Sequence, residues 1–181
     1  AYITPTEKKM VLDTLGSNNV IEYKYERTSF KLTLTSGTGI ANVSGDGTYK
    51  WGKAVNITAI VNSGYTWVNW TGSETINDRT YNFTMPQKNL SFTANATTDL
   101  YNITYDLQGG YLPSGVTNPT SYAVTTNTFT LNNPVKDSYS TDNTVVSYKF
   151  MGWTGTELSN ATQTVTVKRG STGDRTYKAN W

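Results

Sequence analysis

At 181 residues, with a formal net charge of +2, no His and no Cys, the chain is closed to several chemistries at once. Imidazole bases, His- or Cys-ligated zinc, thiol nucleophiles and disulfides all need side chains that it lacks. Its basic residues come at most in pairs, Lys8-Lys9 and Lys168-Arg169, so no basic stripe is present to displace counterions from a nucleic acid. Aromatic residues make up 13% of the chain and charged residues 15%, a balance unlike that of disordered sequences. The abundance of Thr and Tyr favours pleated strands, and the fold class expected is all-β to β-rich α+β with little or no helix. No stretch approaches the length of a membrane-spanning helix. The chain opens Ala1-Tyr2-Ile3-Thr4 rather than with Met and reads as a fragment or processed form, with targeting signals expected outside it.

Strands are predicted from period-2 alternation bounded by turn residues. Residues 1–28 hold one alternating run, Val20-Ile21-Glu22-Tyr23-Lys24-Tyr25, which reads either as a docking strand or as the remnant of a preceding surface module. Strands follow near 29–36, 54–62, 65–71, 80–85 and 90–97. Their turns are Gly37-Thr38-Gly39, Ser44-Gly45-Asp46-Gly47 and Asn62-Ser63-Gly64. A short joint, Thr97-Thr98-Asp99-Leu100, leads to strands near 101–107, 121–131, 145–153, 163–168 and 175–181. Gly109-Gly110 and Pro113-Ser114-Gly115 break the first of these from the next. Asn133-Pro134 opens a crossover through Asp142-Asn143 with room for one short helical turn. Two modules result, over 29–99 and 100–181, preceded by an N-terminal strand segment over 1–28.

The last two units are divergent copies of one another. Trp70-Thr71-Gly72-Ser73-Glu74 recurs as Trp153-Thr154-Gly155-Thr156-Glu157, and Tyr65-Thr66-Trp67 in front of it as Tyr148-Lys149-Phe150. Phe30-Lys31-Leu32 matches Tyr101-Asn102-Ile103, Asn82-Phe83-Thr84-Met85 matches Thr164-Val165-Thr166-Val167, and Ala94-Asn95 matches Ala179-Asn180, all in the same order. Small units bury only about 60% of their chain's surface. A few rings of about 150–250 Å² each can anchor such cores without disulfides. The predicted core is Tyr65, Trp67, Trp70 and Phe83 in the first copy and Phe150, Trp153, Val165 and Tyr177 in the second. Tyr65 and Trp67 share one strand face.

The second copy resembles the Listeria–Bacteroides repeat, or internalin-type B repeat, of bacterial surface proteins. The resemblance rests on Tyr101-Asn102-Ile103-Thr104-Tyr105-Asp106-Leu107-Gln108-Gly109-Gly110, Tyr148-Lys149-Phe150-Met151-Gly152-Trp153-Thr154-Gly155 and Tyr177-Lys178-Ala179-Asn180-Trp181. It departs from the family pattern before Tyr148, where Val146-Ser147 replaces a Gly within a lengthened segment from Asp137 to Val145. The first copy resembles a divergent branch of the same repeat, through Gly47-Thr48-Tyr49-Lys50-Trp51-Gly52 and Gly64-Tyr65-Thr66-Trp67-Val68-Asn69-Trp70. What the resemblance implies is a pair of tandem β-grasp-like modules with a reduced helix, set in an exported multi-repeat protein of the bacterial envelope. It implies no catalytic role and no cofactor.

Among candidate sites, Glu74 and Glu157 occupy matching positions after the Trp-Thr-Gly motif. A glycosidase holds its two carboxylates about 5–9.5 Å apart around one bond. One per module reads instead as two solvated loop carboxylates. Trp51, in a Gly-bounded turn, is the ring best placed to stand exposed and bind a ligand by stacking on sugar. Ser44-Gly45-Asp46-Gly47 offers one carboxylate, far short of the six to eight oxygens that calcium takes, and reads as a turn. The function expected is a non-catalytic stalk or spacer that also contributes to adhesion, and the alternative is a carbohydrate-binding module attached to an envelope glycanase. Expected partners are host glycoprotein or glycan, or a bacterial wall polymer, with no nucleic acid, no membrane insertion within this segment and a monomeric chain.

Overall fold

The computed structural model describes residues 26–181, so the strand segment expected over 1–28 lies outside the described residues but for its last three positions. Among the described residues every regular element is a strand. The chain divides into two compact units. The first runs up to Val61 and resumes over Trp67–Ala96, and the second takes Asn62–Thr66 together with Thr97–Trp181.

The first unit is built from β1 (Ser29–Ser36), β2 (Ile40–Ser44), β3 (Gly47–Lys50), β4 (Ala54–Val61), β5 (Tyr65–Gly72), β6 (Thr80–Thr84) and β7 (Leu90–Thr98). Its main sheet has the order β3-β1-β7-β5, and β2-β4-β6 form a second, antiparallel sheet. β1 and β7 lie parallel at the centre of the main sheet, in register from Leu32 opposite Leu90 to Ser36 opposite Ala94. Side chains of a strand alternate between its faces, and the sequence obeys that rule closely. Val55, Ile57 and Ala59 of β4 and Leu90, Phe92 and Ala94 of β7 enter one cluster with Leu32, Trp70 and Met85. On the other face of β4, Asn56 bonds Asn82 and Thr58 bonds Thr80, both at 2.8 Å, so the polar positions of facing strands satisfy each other.

The second unit contains β8 (Leu100–Asp106), β9 (Ser121–Ala123), β10 (Phe129–Thr130), β11 (Tyr139–Thr141), β12 (Thr144–Val146), β13 (Gly152–Gly155), β14 (Leu158–Thr162), β15 (Thr166–Val167) and β16 (Arg175–Asn180). The order β14-β13-β16-β8-β9 repeats the first unit's sheet with one strand added, and β8 and β16 are again the parallel central pair. β10 and β15 form a two-stranded ladder that corresponds to the first unit's second sheet. In both units the first and last strands run parallel at the middle of a mixed sheet, which is β-grasp order. Strands stand where that fold carries a helix.

Several strands differ from expectation. β2 and β3 flank a segment read as turns alone, because Gly37, Gly39, Gly45 and Gly47 mask two short strands between them. The strand expected over 121–131 is split into β9 and β10 by a tight turn in which Thr126 bonds Ala123 twice, through its N–H and its Oγ1. The strand expected over 145–153 is likewise split, into β12 and β13. Instead of a helical turn, the crossover carries the β11–β12 hairpin. Its two loop residues, Asp142 and Asn143, both take positive φ (29° and 72°), the backbone that two-residue hairpins demand and that Asp and Asn tolerate. β14 has no counterpart among the expected strands. It pairs with β13 across a bulge between Trp153 and Gly155.

Candidate functional site

Trp70 and Trp153 are fully buried, and each packs edge-to-face with the aromatic ring three residues earlier. Trp67 meets Trp70 at 5.5 Å and 66°, and Phe150 meets Trp153 at 5.5 Å and 71°. Such edge-to-face geometry places the positive rim of one ring on the negative face of the other. Each indole N–H finds an acceptor, the Arg79 carbonyl at 3.3 Å for Trp70 and Asn133 Oδ1 at 3.0 Å for Trp153. Val165 and Tyr177 are buried with Trp153, while Trp67, Phe83 and Phe150 are half-buried against the same clusters. Tyr65, expected in the core, is half-buried and stands outside both clusters; it is the first residue of β5, just past the Ser63-Gly64 turn and at the edge of the main sheet.

The hydrogen bonds of the Trp-Thr-Gly corner recur in both copies with one acceptor changed, Asn69 Oδ1 in the first and the Gly152 carbonyl in the second. Asn95 Nδ2 donates to Asn69 Oδ1, Thr71 Oγ1 and the Thr93 carbonyl, at 3.0 to 3.2 Å. Asn180 Nδ2 donates to the Gly152 carbonyl, Thr154 Oγ1 and the Lys178 carbonyl, at 2.9 to 3.2 Å. After the corner, Ser73 Oγ and Thr156 Oγ1 each accept from a last-strand N–H, that of Ser91 or Thr176, at 2.9 Å. Gly72 and Gly155 hold φ of 137° and 141°, and a Cβ on either would lie 2.2 or 2.0 Å from the Ser91 or Thr176 carbonyl oxygen. Only glycine fits there.

The copies part company at the cation beside that corner. Arg175, 3% exposed, is the buried charged residue of the described chain. Its NH1 and NH2 donate to the two oxygens of Glu157 at 2.8 and 3.1 Å, its Nε to Tyr122 Oη at 2.9 Å, and its NH1 also to Tyr177 Oη at 3.3 Å. Tyr122 Oη in turn donates to the Gly173 carbonyl. The guanidinium stands 5.6 Å over the Tyr122 ring. Burial works against the charge of Arg175, but hydrogen bonds to Glu157, Tyr177 and Tyr122 outweigh it, and the net shift of its pKa is upward. Hydrogen bonding to Arg175 holds the Glu157 carboxyl below its ordinary range, against a smaller opposing effect of burial. Glu157 is therefore both the exposed loop carboxylate expected, its side chain 69% exposed, and the partner of a buried cation. Its φ of 63°, uncommon outside glycine, is consistent with that constraint. Glu74 keeps the solvated character, exposed and without an ion pair among the described residues.

Trp51, expected to stand free, is half-buried. The guanidinium of Arg27 lies 5.5 Å over its ring and donates to its carbonyl at 3.2 Å, so a cation occupies a face that a sugar would need. A further cation–ring contact has no signal in the local sequence. Lys136 Nζ donates to the Gln108 carbonyl at 2.7 Å and sits 4.3 Å over Tyr148 and 5.7 Å over Trp181, tying the crossover to the end of the chain. Ser44-Gly45-Asp46-Gly47 is the β2–β3 turn, closed by Tyr49 Oη on the Gly45 carbonyl at 2.8 Å. Among the described residues no three His, Cys, Asp or Glu side chains gather as metal ligands, and no helix is long and apolar enough to cross a membrane.

Residues 30–98 match the family model described as the divergent InlB B-repeat domain. No curated protein and no solved structure matches the chain.

Proposed function

We propose that this chain, whose residues 30–98 match the divergent InlB B-repeat domain, is a non-catalytic stalk segment of a bacterial surface or secreted protein of the Listeria–Bacteroides repeat family. The second module is taken as a further copy, on the strength of its shared sheet order and its duplicated Asn180 and Gly155 contacts. Adhesion to host glycan or wall polymer is then a property of repetition, since tethered weak sites gain effective concentration without new contacts.

One observation carries the stalk reading. In each module the first and last strands are parallel neighbours, β1 with β7 and β8 with β16. Tension enters a parallel pair from opposite ends of the ladder. Its hydrogen bonds are then loaded together in shear rather than opened one at a time. A load-bearing spacer needs that arrangement, and it needs no reactive group.

The test is force spectroscopy on the full chain held by its two ends. Two unfolding steps are expected, lengthening the tether by roughly 250 and 290 Å at about 3.5 Å per residue. Both should need forces several-fold above those that open an antiparallel hairpin end-on. Unfolding at hairpin-like forces would remove the stalk reading.

A further inference from the structure

The two modules are natural variants of one site, and their difference points to a ligand. Register places Leu90 opposite Leu32 in the first module where Arg175 stands opposite Ile103 in the second. Glu74 holds the place of Glu157, one step past matching hydroxyls at Ser73 and Thr156. The first module has therefore kept the carboxylate and lost its internal cation. Beside Glu74 lies an open cleft of about 300 Å³, lined by Tyr81, Phe83, Pro86, Lys88 and Leu90 as well as Glu74. The Tyr81 and Phe83 rings, both lining it, lie nearly parallel at 5.7 Å and 17° and make its wall aromatic.

We propose that this cleft binds an arginine side chain of an extended partner peptide, with Glu74 acting on that guanidinium as Glu157 acts on Arg175. The chemistry fits the lining. A guanidinium is planar and weakly hydrated, it pairs with a carboxylate through two N–H groups, and its flat face stacks on aromatic rings. Leu90 and Pro86 receive the aliphatic stem, as apolar surfaces do for long cationic side chains. A lysine ammonium is a compact, strongly hydrated point charge and gains less from such a wall. Lys88 is the cation facing the cleft and makes no ion pair with Glu74, so it repels a second positive charge. The site selects an isolated arginine, not a basic cluster.

The test is an NMR titration of the isotope-labelled full chain at low salt with acetyl-Gly-Arg-Gly-amide, alongside its citrulline and lysine counterparts. The arginine peptide should shift Glu74, Tyr81 and Lys88 signals saturably, with a dissociation constant of order millimolar. Glu74→Gln, at an exposed position, should weaken it about fivefold while leaving the remaining spectrum unchanged. Lys88→Gln should tighten it about two- to threefold. Equal binding of the citrulline peptide, indifference to Glu74→Gln, or shifts confined to other surfaces would each overturn the proposal. None of these results bears on the mechanical reading, which is measured separately.

Discussion

Arg175 allows a sharp test, because the first module is a natural version of the same site without it. At the equivalent positions of its last strand the first module carries Leu90 and Phe92 where the second carries Arg175 and Tyr177. Arg175→Leu removes a buried cation and its desolvation cost, but it strips Tyr177 Oη, in a residue 2% exposed, of the donor it accepts from. An unsatisfied buried hydroxyl costs about 1–3 kcal/mol. Tyr122 Oη is spared, since it keeps the Gly173 carbonyl. The single variant should therefore lose about 2 kcal/mol, and the double variant Arg175→Leu/Tyr177→Phe should recover to within about 1 kcal/mol of the parent, as buried ion pairs often do when replaced whole. Glu157→Ala leaves the guanidinium buried and half-partnered. Breaking a buried pair costs about 3–5 kcal/mol, but the Glu157 side chain is 69% exposed, so water restores part of the loss and about 1–2 kcal/mol is expected. Hydrogen exchange read by mass spectrometry, using peptides from 100–181, reports this module's stability in the intact chain. A double variant no more stable than Arg175→Leu alone would refute the reasoning, because the hydroxyl would then not be the group left stranded.

Acid should act on the second module before the first. The folded pKa of Glu157 lies below its ordinary value of 4.5, so its stabilisation is complete above that value and is lost as pH falls through the depressed folded value; hydrogen exchange from about pH 6 to pH 3 should show 100–181 weakening first, and equal weakening of both modules would contradict the assignment. Gly155→Ala should cost several kcal/mol, since its Cβ would meet a carbonyl oxygen at 2.0 Å, whereas Gly170→Ala, with a φ of 90° but nothing within 4 Å, should cost only about 1–2 kcal/mol of backbone strain. Thermal melts of the two variants decide it, and similar losses would mean that the close approach at Gly155 relaxes freely.

What the sequence reveals and what it hides divide along physical lines. β1, β4 to β8 and β16 are legible because their alternation is long enough to rise above turn residues, and the duplicated Trp-Thr-Gly corner marks Trp70 and Trp153 as core. β2, β3, β11 and β14 are short and hemmed by turn residues, so their pairing is decided by distant partners that no local window contains, and the same holds for the breaks within 121–131 and 145–153. The Arg175–Glu157 pair left a readable trace. Arg175 shares strand parity with Tyr177 and Ala179 and so had to face the core, and a core arginine requires a carboxylate. Aligning Leu90 with Arg175 would have shown that the first copy lacks this need. Trp51 misled because a Gly-bounded turn says nothing of an arginine, Arg27, that reaches it from far earlier in the chain.

The central pairing of first with last strands has a consequence for how the chain reaches its structure. β1 cannot complete its ladder until β7 has been synthesised, more than fifty residues later, so each module's nucleus waits on a long loop closure. In a tandem array that delay creates a competitor, because β16 is built to the same plan as β7 and a tardy β1 is open to the wrong partner. The differences between the copies oppose the exchange. A full exchange sets β7 beside β8, where Leu90 would stand in the place of Arg175 and leave Glu157 and the Tyr122 hydroxyl without their cation. Divergence between neighbouring repeats is, on these terms, a proofreading device for strand choice.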